Sequence, residues 1–208
     1  MRAGFKRDYI LGVLFFSGLW GASEAILGDF LYRTDFPFAS VPLTIIAFII
    51  LTIAKGYLPQ IGSAILIGSV AMLYKFLNTP FFSCHFLAIF LLGLSYDLVF
   101  SFSRIKSKVV FGLLATYLGY IFFALAASYI FRFNYWLNET LSKIFSYVGR
   151  GGTLAALVNS VAVPISFKLS QALKRKAINP FEFKSRLISG SVSLIVIMLW
   201  FIGIARCF

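Results

Sequence analysis

The sequence predicts an all-α integral membrane protein, a polytopic bundle of six to seven transmembrane helices forming one domain over residues 1–208. Three observations carry that expectation. First, 60% of the residues are hydrophobic and only 12% are charged, against about half and about a quarter in a soluble domain. Second, the apolar residues arrive in blocks, several of them near the roughly 20 residues that cross a hydrocarbon core. Third, the Lys and Arg residues fall in the connections between blocks, where membrane topology puts them. The net charge of +12 is therefore read as a membrane signature, with no nucleic-acid partner.

The blocks predict helices over Tyr9–Tyr32, Phe38–Ala54, Ile61–Leu77, Cys84–Phe102, Val109–Phe131, Gly152–Leu173 and Leu187–Ala205. Pro59, Pro80 and Pro180 fall in connections, as expected of a residue that breaks the helix hydrogen-bond ladder. Pro164 falls inside the sixth helix and is expected to kink it. The first block follows Arg2, Lys6 and Arg7 in the manner of a secretory signal. It is too long, contains Glu24 and lacks a small-x-small cleavage site, so it reads as the first membrane helix. Thirteen of the 19 cations lie at one set of loop ends, among them Lys6, Lys55, Lys106, Lys168 and Lys174, and six lie at the other. That bias predicts an N-terminus inside a prokaryotic cytoplasmic membrane.

One connection, residues 132–151, is long. Phe133, Trp136, Leu137, Leu141, Ile144, Phe145 and Val148 recur in it at helical spacing, which predicts an amphipathic helix in the membrane interface. The sharper alternative is a flap over an outward-facing cavity.

Ionisable groups at depth carry the functional argument, because they are costly in a bilayer and turn towards the bundle interior or a wet cavity. Glu24 lies about 12 Å from the end of its helix at 1.5 Å per residue, too deep for a short side chain to reach water. Trp20 and Gly28 share its face, at four-residue spacing. A second face of the same helix, Gly18, Ala22 and Ala25, has the small residues that let helices approach closely. Lys75, His85 and Asn159 lie in the same outer leaflet on other helices and, with Glu24 and Trp20, form a candidate substrate-binding cluster. Asp29 has Arg33 four residues on, the spacing of a surface pair. Asp97 is a second buried acid of unknown role, with Lys168 considered as a partner although it points the wrong way around its helix relative to Asn159.

The sequence offers no enzyme chemistry. One histidine cannot build a His-rich metal site, and two cysteines, Cys84 and Cys207, give no metal spacing. No HExxH, phosphate-binding Gly-rich loop or oriented Ser–His pair is present. No metal and no cofactor are expected.

"LWGASEAILGDFL", "FPFASVPLTIIAF" and "HFLAIFLLGLSYDLVF" resemble the substrate-binding (S) components of energy-coupling factor transporters, over about the first half of the chain. The resemblance implies a helical bundle that holds a small molecule near its outer face, energised by a separate coupling membrane subunit and two ATPases. It implies that Gly18, Ala22 and Ala25 form the docking stripe for the coupling subunit and that the cluster around Glu24 is the ligand cavity. A seventh helix exceeds the family's usual six, and the His-containing N-terminal motif of its nickel and cobalt members is absent. The expected function is a membrane-embedded solute-binding component of a transporter, surrounded by membrane lipids. The alternatives are a solitary proton- or ion-coupled carrier or channel, in which Glu24 and Asp97 relay ions, and a membrane assembly protein.

Overall fold

The computed structural model describes residues 3–77, 83–102, 105–133, 136 and 140–176. The described residues are helical apart from short connections. They form α1 (Ala3–Arg33), α2 (Ser40–Tyr57), α3 (Ser63–Ala71), α4 (Ser83–Ser101), α5 (Lys108–Leu125), α6 (Thr140–Ser146) and α7 (Thr153–Lys176). A 3₁₀ turn, Met72–Leu77, prolongs α3, and a wider π turn, Ala126–Ile130, prolongs α5. A second π turn, Tyr147–Gly152, joins α6 directly to α7.

Among the described residues, five helical stretches are long and apolar enough to cross a membrane: Arg7–Arg33, Ser40–Tyr57, Cys84–Ser101, Lys108–Ile130 and Leu141–Arg175. The third expected span is present but shorter, as the apolar stretch Ser63–Phe76. The seventh expected span, Leu187–Ala205, lies outside the described residues, as do Leu137, Pro80 and Pro180. The expected interfacial segment takes a different form. From Thr140 onward its backbone is helical and runs without a break into α7, so that the sixth expected helix begins about three turns early. Pro164 sits inside α7.

Neighbouring helices close a circuit in the order α1, α2, α7, α5, α4, α3 and back to α1. Small residues set the closest approaches. A Cβ added to Gly93 of α4 would lie 2.7 Å from the backbone oxygen of Ala64 on α3, and one on Gly112 of α5 would lie 2.5 Å from that of Asn159 on α7. Both helix pairs are thus at backbone contact, which only glycine permits. The core between them is aromatic and branched: Trp20, Phe48, Leu51, Ile67, Tyr96 and Val163 are fully buried, and Tyr96 meets Phe48 and Phe111 edge-on at 5.4 and 4.9 Å.

Polar and apolar groups are distributed inside out. Large apolar side chains such as Leu19, Phe30, Leu114, Val161 and Ile165 are exposed, while Glu24, Lys55, Lys75, Asp97, Thr116 and Asn159 are buried. A soluble protein does not expose contiguous apolar surface on this scale. Lipid-facing helices with their polar groups turned inward do. The architecture is compatible with an α-helical integral membrane bundle.

Candidate functional site

Glu24 is 5% exposed and its carboxylate is paired. Lys75, carried on the 3₁₀ turn after α3, places Nζ 3.2 Å from Glu24 Oε2 and donates to the Glu24 backbone oxygen at 2.9 Å. Gly28, one turn further along α1, leaves the ammonium room. A Cβ there would sit 3.0 Å from Lys75 Nζ, in the space the ammonium fills. The glycine of the Trp20–Glu24–Gly28 face is therefore a seat for the lysine.

Beside this pair lies a cavity of about 40 Å³, room for roughly three waters at about 10–15 Å³ each. Five elements line it: Glu24 and Tyr32 from α1, Ser40 and Thr44 from α2, His85 and Ile89 from α4, Tyr120 and Phe123 from α5, and Tyr147 from the π turn before α7. His85 stacks on Tyr32, with centroids 4.4 Å apart and planes at 22°. Tyr120 donates to Ser40 Oγ at 3.3 Å and faces the Tyr147 ring at 4.9 Å. Phe123 and Trp136 pack edge-on at 5.6 Å, and Trp136 meets Tyr147 at 5.2 Å. The connection between α5 and α7 thus contributes an aromatic wall to the cavity. Gly119 lines the same space where α4 and α5 close, since a Cβ there would meet Leu92 at 2.8 Å. One carboxylate, one imidazole, three phenols and two hydroxyls converge on an otherwise apolar hollow, the mix that fixes and orients a small solute.

Of the candidate substrate-binding residues, Glu24 and His85 line the cavity, and Lys75 stands behind Glu24 as its counter-charge. Trp20 is buried in the core one turn below, with its ring 3.4 Å from the position a Cβ on Gly68 would take. Asn159 is also elsewhere. It sits between α7 and α5, donating from Nδ2 to Thr116 Oγ1 at 3.0 Å, and serves helix packing. The stripe Gly18, Ala22 and Ala25 is buried within the chain and not displayed on the outside of the bundle. Tyr32 was within reach of sequence reasoning, because it extends the 20, 24, 28 series by one more step of four. Ser40, Thr44, Tyr120 and Tyr147 gave no signal, since their convergence depends on how separate helices rotate against one another.

Asp97 has a partner that sequence reasoning had assigned to a loop end. Lys55, near the end of α2, reaches to 2.5 Å from Asp97 Oδ1, with the two side chains 1% and 2% exposed. The other oxygen, Oδ2, accepts from the backbone N–H of Ile65 at 2.8 Å, one of the first-turn donors of α3 that lack a partner within the helix. Lys55 also donates to the Gln60 backbone oxygen at 2.8 Å and lies 4.3 Å from the Phe100 ring centroid. This acid ties α2, the α2–α3 turn, α3 and α4 together. Lys168, the partner first considered, is exposed on α7. Asp29 and Arg33 form the expected surface pair at 3.0 Å.

Among the described residues, no three His, Cys, Asp or Glu side chains come together in a way that could hold a metal ion. No protein-family model, curated protein or solved structure matches the chain.

Proposed function

We propose that the chain is the membrane-embedded solute-binding component of a transporter, a bundle of six to seven spans energised by separate coupling and ATPase subunits. One observation carries the reading: a cavity where a carboxylate, already held by a buried lysine, stands among an imidazole and three phenols contributed by five elements. Several of these groups also bond one another, as Tyr120 does to Ser40; what sets them apart from interhelical glue is that they surround a hollow.

In this reading a small solute enters from the α1 C-terminal end, the outer side if the N-terminus lies inside. The cavity is small, so binding requires the Tyr147–Trp136 wall to move outward. The connection between α5 and α7 then acts as the flap. The coupling subunit cannot use Gly18, Ala22 and Ala25 while they are covered; it meets the exposed stripe Leu19, Ile26 and Phe30, which shares one face of α1.

The deciding experiment is mass spectrometry of whatever co-purifies with the tagged protein from its native membranes in mild detergent. Two ATPases, a second membrane protein and a bound small molecule are expected. A solitary protein without a bound molecule overturns the proposal. That outcome favours a second reading, a solitary ion-coupled carrier, because buried acid–lysine pairs occur towards both ends of the bundle. Along α3 and its 3₁₀ extension, Ile65 and Lys75 are separated by roughly 17 Å of rise.

A further inference from the structure

The end of the bundle opposite the cavity carries an arrangement that solute binding does not use. On α7, Leu154, Val158, Val161 and Ile165 are 45–60% exposed and, at 100° per residue, share one face. Continued towards the helix C-terminus, the same face presents Lys168 and then Arg175, both exposed. The apolar stripe ends in two cations seven residues apart.

The start of α5 brings more. Lys108 Nζ lies 4.6 Å from the centroid of the ring of Phe167, the residue before Lys168 on α7, and Lys106 precedes Lys108 by two positions. Both lysines are exposed. Little negative charge answers them. Among the described residues at this end, Asp97 is buried against Lys55 and Asp8 pairs with Arg7 at 3.8 Å. Glu24, Asp29 and Asp35 all belong to the other end of α1 and the turn that follows it. The ammonium of Lys174 is turned away, donating to the Gly56 backbone oxygen of α2 at 3.0 Å, so it fixes α7 in place and leaves Lys168 and Arg175 to face outward.

We infer that this end of α7, with the start of α5, binds an anionic phospholipid, the acyl chain along Val158, Val161 and Ile165 and the phosphate at Lys168, Arg175 and Lys108. The chemistry matches a lipid better than a soluble anion, because the cations continue directly from a stripe that needs hydrocarbon against it. A bidentate guanidinium and flanking ammonium groups suit a phosphate diester. Basic clusters where helices leave the bilayer attract acidic headgroups in this way. The site is independent of the cavity and stands whether or not the chain binds a solute.

The test is native mass spectrometry of the full chain in mild detergent, titrated with dioleoyl phosphatidylglycerol or with dioleoyl phosphatidylcholine. The glycerol lipid should be retained at least about tenfold more tightly. Each cation removed should weaken its retention about five-fold, so that Lys168→Gln with Arg175→Gln loses about 25-fold, while the choline lipid, whose own ammonium offsets its phosphate, loses much less. Lys143→Gln with Arg150→Gln, at the other end of α7's helical run, is the control and should change neither. Should the double variant fail to fold, Lys168→Gln alone and a salt titration of the unaltered chain read the same site. Equal retention of the two lipids overturns the inference and leaves the patch to an acidic protein surface. A control variant that loses as much as the test variant also overturns it, since the attraction would then be diffuse.

Discussion

Replacing Glu24 by Gln removes one charge from a pair whose side chains are 6% and 4% exposed. Glutamine keeps the shape and one carbonyl oxygen, and Lys75 keeps its 2.9 Å bond to the backbone oxygen of residue 24. The ammonium, however, is left buried without a counter-ion. Breaking a buried pair in this one-sided way costs about 3–5 kcal/mol, and the retained backbone bond sets the expectation near the lower figure. At about 2–4 °C per kcal/mol for a chain of this size, the melting temperature in mild detergent should fall by about 6–12 °C. Lys75→Met added to Glu24→Gln removes the orphaned charge and should recover more than half of the loss. The double-mutant cycle therefore reads the coupling itself, free of general damage. A Glu24→Gln protein that melts within about 1 °C of the parent, with a cycle that closes additively, refutes the buried pair and the site built on it.

The second pair gives a parallel expectation. Asp97→Asn should lower stability by about 3 kcal/mol or more, because Lys55 loses its counter-ion in a site that is 1–2% exposed; Lys168→Gln should stay within about 0.5 kcal/mol, and thermal melts of both variants check the partner assignment. Gly93→Ala should destabilise the bundle, since its Cβ would sit 2.7 Å from the Ala64 backbone oxygen, whereas Gly149→Ala meets nothing within 4 Å and should be neutral or stabilise by up to about 1 kcal/mol. Melts that rank these two alanine variants in the reverse order would count against the α3–α4 contact. Tyr147→Ala should weaken retention of a co-purified solute several-fold while leaving the Glu24–Lys75 cycle intact; unaltered retention would remove the flap from the proposed mechanism.

What could be read from the amino-acid order alone was whatever is local. Runs of apolar residues located α2, α4 and the start of α5 to within a few residues, because crossing hydrocarbon demands about 20 of them; the start of the sixth expected helix was missed by about three turns. The four-residue stagger of Trp20, Glu24 and Gly28 put the buried acid on a definite face, and Asp29 found Arg33 because both sit on one helix. Everything that depended on the rotation and offset of one helix against another waited for the folded chain. Lys55 looked like a loop-end cation until α2, α3 and α4 were packed, and its partner Asp97 is 42 positions away in sequence. Asn159 pointed inward as expected, yet towards Thr116 and not towards the cavity. The small stripe on α1 could have faced a partner subunit or the chain's own interior, and periodicity is the same in both cases. Residues 140–152 carried the spacing of an amphipathic helix but nothing to show that it would continue unbroken into α7. Helical periodicity reports which residues share a face; the neighbour that face meets is fixed only when the helices pack.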